Sequence, residues 1–161
     1  MVEAIAMKNA LGLVFYETVL MERNCARLYR LLSQFFSEDE TFWSELAHDE
    51  EYHAMNIQRA QDYYKDALFA VEAFHLLNIQ KLNHELTAMI AHYERSVPSR
   101  QKAFLNALKL ENLSGECYFQ ITINKPDSNP AIDLFRGLVD EEVNHAQRIE
   151  IRMKMPVDIA S

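Results

Sequence analysis

Four stretches of the sequence place a glutamate three residues before a histidine: Glu45/His48, Glu50/His53, Glu72/His75 and Glu142/His145. On a helix that spacing sets a carboxylate and an imidazole on one face, within reach of a single cation. The motif alone discriminates little, because an acidic helical chain produces it readily. Helical phase separates the four. Glu50 and His53 fall in the series Trp43, Leu46, Glu50, His53, Ile57, whose steps of three and four trace one helix face. Glu142 and His145 fall in Phe135, Leu138, Glu142, His145, Ile149, with the same steps. Each pair interrupts an otherwise apolar stripe, where an unpaired carboxylate is costly and calls for a partner or a cation. His48 precedes His53 by five residues, about 140° around the helix at about 100° per residue. Glu45 and His48 are therefore expected at the edge or in solvent.

Two further stripes carry one glutamate each. Phe15, Thr18, Glu22, Cys25 and Tyr29 share one face; so do Phe104, Leu108, Glu111, Gly115 and Tyr118. In both, a tyrosine follows the glutamate by seven residues. A Glu…Tyr helix thus precedes a Glu-x-x-His helix twice, at nearly the same offset, and the chain reads as two versions of one helical hairpin. Glu72/His75 has no such partner and is read as structural. One glutamate from each of two helices, with Glu-x-x-His from each of two others, is the donor set of a carboxylate-bridged dinuclear site in a bundle core. Four carboxylates and two divalent ions make a neutral buried unit. Oxygen-rich ligation with two imidazoles suits iron or manganese; zinc would bind too, without redox chemistry.

These stripes require long helices, and the punctuation supplies them. Only three Gly and four Pro occur among 161 residues, which favours long helices over many short strands. Helices are expected over about residues 2–36, 38–66, 98–124 and 130–155. Ser37 with its acidic followers should cap the second, and Pro98 and Pro130 should open the last two. Residues 67–97 form a less regular connection containing a short helix, with Phe69, Phe74, Leu76 and Leu77 available to cover the bundle or to form a dimer contact. Short turns make the first and second helices antiparallel, and likewise the last two, while the long connection climbs back between them. The expectation is an all-α, ferritin-like four-helix bundle with one crossover, in a single domain spanning 1–161.

The formal charge of −8 argues against nucleic acid or an anionic membrane as partner, since both call for basic patches. The two cysteines, Cys25 and Cys117, form no Cys-x-x-Cys pair, so neither a zinc ribbon nor a rubredoxin-type iron site is encoded. Both are expected to be small buried apolar residues. No export signal or membrane-length apolar run is visible, and a reducing, cytoplasmic setting is the expectation.

The stretches MERNCARLY (Glu22, Tyr29), DEEYHA (Glu50, His53), LENLSGECY (Glu111, Tyr118) and DEEVNHA (Glu142, His145) resemble the rubrerythrin branch of the ferritin-like superfamily. The resemblance covers the four long helices. It implies that Glu50 and Glu142 bridge two irons, that Glu22 and Glu111 are terminal ligands, and that His53 and His145 bind one iron each. Tyr29 and Tyr118 would either hydrogen-bond the ligand carboxylates or fill the core. It further implies reduction of hydrogen peroxide or dioxygen in oxidative-stress defence, and a homodimer. Two features depart from the family. The four-cysteine iron domain is missing, so electrons would come from a separate donor such as a rubredoxin-type protein. The extra glutamate three residues after the third-helix ligand is replaced by Ser114, with Cys25 as its counterpart in the first half. The resulting symmetric site also suits ferritin-type oxidation and storage of Fe(II), which is the alternative. A non-enzymatic helical module would leave like charges crowded in its core, and hydroxylation of a nucleic-acid base is disfavoured by the charge.

Overall fold

The computed structural model of the chain describes residues 2–63, 73–123, 125 and 129–156. They form five α-helices: α1 (Val2–Phe35), α2 (Glu40–Tyr63), α3 (Ala73–Tyr93), α4 (Arg100–Thr122) and α5 (Pro130–Lys154). No strand occurs among the described residues, and the architecture is all-helical and bundle-like. No helix among them is long and apolar enough to cross a membrane.

Side-chain pairs fix the directions of the helices. Arg23 and Arg30 of α1 bond Gln58 and Glu51 of α2, a descending order that makes the two antiparallel. Glu17 and Arg27 bond Asn83 and Glu94, so α3 runs parallel to α1. Across the interior, Tyr29 pairs with Glu111 and Glu22 with Tyr118, which sets α4 antiparallel to α1. His145 and Arg148 of α5 reach Glu50 and Asp49 of α2, and Arg152 reaches Asp39 just ahead of it, again in descending order. α1 is buried on two sides, against α2 and α3, and its apolar face is correspondingly wide: Val14, Phe15, Met21, Leu28 and Leu32 are all fully enclosed.

Several expected boundaries shift. Ser37 does not cap α2. Residues Ser37–Asp39 form a 3-10 turn with no side-chain cap, and α2 begins at Glu40. Asp39 turns inward instead, for a reason given below. Pro98 lies outside α4, whose cap is Ser99, accepting from the Lys102 N–H at 3.2 Å. Pro130 does open α5, with Asn129 accepting from the Ala131 N–H at 3.0 Å. The ends expected at residues 66 and 124 lie outside the described residues.

The largest difference is the connection, which is a regular 21-residue helix, α3, rather than a loose segment with a short helix. Ile79, Leu82, Leu86, Ile90 and Tyr93 repeat at three and four residues and bury against α1 and α4. Leu76 is half-buried against the core and Leu77 is exposed. Phe69, the Phe74 side chain and Glu72 lie outside what is described; His75 is buried.

One end of the assembly is tied by an ion cluster. Asp39 is fully buried and accepts from Arg100 Nε and Arg152 Nε, both at 2.6 Å. Arg152 also donates to the Glu38 carbonyl at 2.6 Å, and Arg100 lies over the Phe104 ring, 4.6 Å from its centroid. The turn after α1, the start of α4 and the end of α5 meet on one carboxylate.

Candidate metal centre

The stripes converge. Glu22 of α1, Glu50 and His53 of α2, Glu111 of α4, and Glu142 and His145 of α5 are all buried, the carboxylates at 1–3% exposure. Glu22, Glu50, His53 and Glu142 each bring a ligand atom into one group whose atoms lie within 4.8 Å of one another; Glu50, Glu111 and His145 form a second such group. Glu50 belongs to both. His53 Nδ1 is 3.2 Å from Glu50 Oε2 and 3.7 Å from Glu22 Oε2. His145 Nδ1 is 3.0 Å from Glu50 Oε1 and 3.4 Å from Glu111 Oε2. The imidazoles stack with centroids 5.4 Å apart.

His53 Nδ1 and Glu50 Oε2 pair, but three other atoms are close without being paired. Glu50 Oε1, Glu111 Oε2 and His145 Nδ1 are fully enclosed, yet none makes a well-directed hydrogen bond, because the angles fail where the distances are short. Buried polar groups are ordinarily satisfied. Donors that point at a common centre rather than at each other fit a cation, and the carboxylate and imidazole set fits a divalent one.

Protonation tells the same story. Burial pushes the Glu22 carboxyl up to about 8, and the Glu50 charge adds to it. Burial, then Glu111 and Glu50, push Glu142 well above the usual carboxylate range. Burial and Glu111 also push Glu50 upward, but the adjacent His145 and His53 imidazoles outweigh them and hold it below its ordinary value. Burial opposes charge on the imidazoles, yet Glu22 and Glu50 raise His53 to about 11, and Glu111 and Glu50 raise His145 to about 10. Protons thus offset part of the crowded negative charge.

The two tyrosines are more than core filling. Tyr29 donates to Glu111 Oε1, and Tyr118 donates to Glu22 Oε1, each crossing to the other hairpin. Burial and the facing carboxylate push both phenols well up, so they stay neutral donors. Each tyrosine rests on an aromatic pair that the sequence reading saw only as stripe residues. Tyr29 stacks on Trp43, which packs on Phe104; Tyr118 packs on Phe135, which packs on Phe15. Trp43, Phe104, Phe135 and Phe15 stand seven residues before Glu50, Glu111, Glu142 and Glu22 respectively.

Two carboxylates went unnoticed in the sequence. Asp49 Oδ2 lies 3.5 Å from His145 Nε2 and is held by Arg148 Nη1 at 2.7 Å. Glu141 lies within 4.8 Å of ligand atoms of both His53 and His145. Each directly precedes the glutamate of a Glu-x-x-His pair, which is the signal that could have found them.

Glu45 and His48 are exposed, as their phase requires. Cys25 is buried beside the cluster, its thiol pushed well up by burial and by Glu50 and Glu111. Ser114 donates to the Leu110 carbonyl at 3.0 Å, so neither replacement position adds a carboxylate. Cys117, expected buried, is only partly so and lines a pocket between α3 and α4. Neither a family model nor a curated protein nor a solved structure matches the chain.

Proposed function

We propose that this chain is a ferritin-like di-iron protein that reduces hydrogen peroxide or dioxygen. In that reading α1, α2, α4 and α5 form the four-helix bundle and α3 is its crossover. The directions support this: α2 and α4 are parallel, so the chain must climb back between them, and α3 runs that way. The observation that carries the reading is the pair of donor groups that share Glu50, a carboxylate placed to bridge. Glu142 joins the first group and reaches Glu111 of the second, which suits a second bridge. Glu22 with His53, and Glu111 with His145, then complete the two positions.

Two irons held there would supply two-electron reduction of an O–O bond. The protein's own part is arrangement. Tyr29 and Tyr118 hold one oxygen of Glu111 and of Glu22, leaving the other free to ligate. Asp49 Oδ2, 3.5 Å from the outer nitrogen of His145, lies where it favours the ring orientation that presents Nδ1 inward. The aromatic pairs back the two tyrosines and fix their rings in place.

The test is metal content. Protein purified anaerobically, given Fe(II) and freed of excess, should retain two irons per chain, and the His53→Ala/His145→Ala variant markedly fewer. Equal retention in both would end the reading. Peroxide should then oxidise the loaded protein faster than dioxygen does. Uptake of many irons per chain into a cage would favour ferritin-type storage instead.

A further inference from the structure

The two hairpins match at the ligands but not at their outer grooves. Over the α4–α5 groove a pocket of about 230 Å³ reaches in to Glu111 and Glu142. Gly115 lies in its wall, where a Cβ would stand 3.2 Å from the Cβ of Glu142. Asn112, Glu116, Phe119, Val139 and Val143 also line it, and Phe119 and Val143 are 45% and 51% exposed. The α1–α2 groove holds other residues at the corresponding positions. Ala26, fully buried, stands for Gly115, and Arg30 and Glu51 stand for Phe119 and Val143. Arg30 and Glu51 close across the groove in an ion pair at 2.8 Å. The asymmetry is thus a pocket with exposed apolar side chains, Phe119 and Val143, on one side and an ion pair across the groove on the other. A second opening, between α2 and α5, reaches His53 and sets three carboxylates, Asp49, Asp133 and Glu141, in its wall beside Tyr52, Leu134 and Leu138.

We infer that the α4–α5 groove is the substrate pocket of the site, and that it takes a small uncharged organic hydroperoxide. The inference rests on the di-iron reading above for its chemistry, but the pocket itself does not. The exposed Glu116 carboxylate at the mouth disfavours anions. The mouth offers apolar surface to an alkyl or aryl body, which hydrogen peroxide does not have. The volume exceeds what a two-oxygen molecule fills. Gly115 leaves the floor open, so the hydroperoxide group can approach the carboxylates while the organic body rests on Phe119 and Val143. The overall change balances: the O–O bond breaks, two electrons and two protons enter, and an alcohol and water leave. The electrons come from a separate one-electron carrier protein.

The probe is 2-phenyl-2-propanol, the unreactive alcohol that cumene hydroperoxide would leave. Amide NMR shifts on titrating it into the metal-free and the zinc-loaded full chain should concentrate at residues 111–119 and 139–143. The Phe119→Arg/Val143→Glu variant copies the Arg30–Glu51 pair at two exposed positions and should bind the alcohol at least tenfold more weakly. Its metal stoichiometry should be unchanged, and its rate with cumene hydroperoxide relative to hydrogen peroxide should fall at least tenfold. Shifts that fall elsewhere, or equal affinity in the folded variant, would overturn the inference. The shift map needs no variant, so it decides even if the substitutions disturb folding. Failure to bind metal with the shift map intact would remove the di-iron chemistry and leave the pocket.

Discussion

A phenol that donates to a buried carboxylate does two things at once. It satisfies one lone pair, and it favours the charged form that a cation needs. Tyr29→Phe removes the bond to Glu111 and leaves the aromatic stacking on Trp43 in place. Metal affinity should fall by roughly ten- to a hundredfold, the range for partners that orient a ligand. Competition with a chelator of known affinity would measure it. Tyr118→Phe should do the same through Glu22, and because the bonds cross between hairpins, each variant should weaken the group that contains the distant glutamate. An unchanged affinity in both would reduce the phenols to packing. These tyrosines were visible in the sequence as a repeat spaced seven from each glutamate, but whether they bonded or packed was not, since that depends on the other hairpin. Asp49 and Glu141 were marked only by standing directly before Glu50 and Glu142; that Asp49 meets His145 and Glu141 meets His53 depends on how α2 lies against α5.

At the scale of elements, helical phase was the readable signal. All the stripe positions assigned to Glu22, Glu50, His53, Glu111, Glu142 and His145 are buried, because phase within a long helix is set locally. What lay between the helices was less readable. α3 is a regular helix where the sequence suggests a less regular connection; its Asn83 donates its amide to the Glu17 carbonyl and carboxylate, both at 2.9 Å, contacts that no local pattern reports. The acidic turn after α1 was read as a cap because Ser37 and its acidic followers have the right types. Asp39 instead binds two arginines from distant parts of the chain, so tertiary pairing outweighed local capping. Removing it should be expensive. Asp39→Ala leaves Arg100 and Arg152 facing each other without their counter-charge, at side-chain exposures of 19% and 27%. Breaking a buried ion pair from one side costs about 3 kcal/mol or more. In a domain of this size that is a drop of about 6–12 °C in Tm. Calorimetry on the metal-free variant would show it, and a change of only a degree or two would mean the cluster is an ornament of one end rather than a tie.

For the whole molecule, the buried cluster couples stability to pH, and the direction follows from which state holds more protons. Glu22 titrates near 4.5 unfolded and about 8 folded, and Glu142 is raised as well, so the folded chain keeps protons that the unfolded chain releases. His53 at about 11 and His145 at about 10 do the same above 6.5. All four contributions are present in weak acid and are lost as pH rises, through about 8 for Glu22 and about 10–11 for the imidazoles. Glu50, held low, acts oppositely, and its contribution is lost only as the solution becomes more acid than its unfolded value. The metal-free protein should therefore melt at a lower temperature at pH 9 than at pH 6. Divalent cations replace those protons, so binding releases protons and gains strength with pH. The rise in Tm on adding Zn²⁺ should be larger at pH 9 than at pH 6, with zinc chosen because it adds no redox chemistry. Scans at both pH values, with and without the metal, separate the two effects. A metal-free Tm that stays level between pH 6 and pH 9 would mean that the carboxylates are not crowded in solution as they are here. A Zn²⁺ effect independent of pH would mean that the cation binds somewhere other than among these protonated donors.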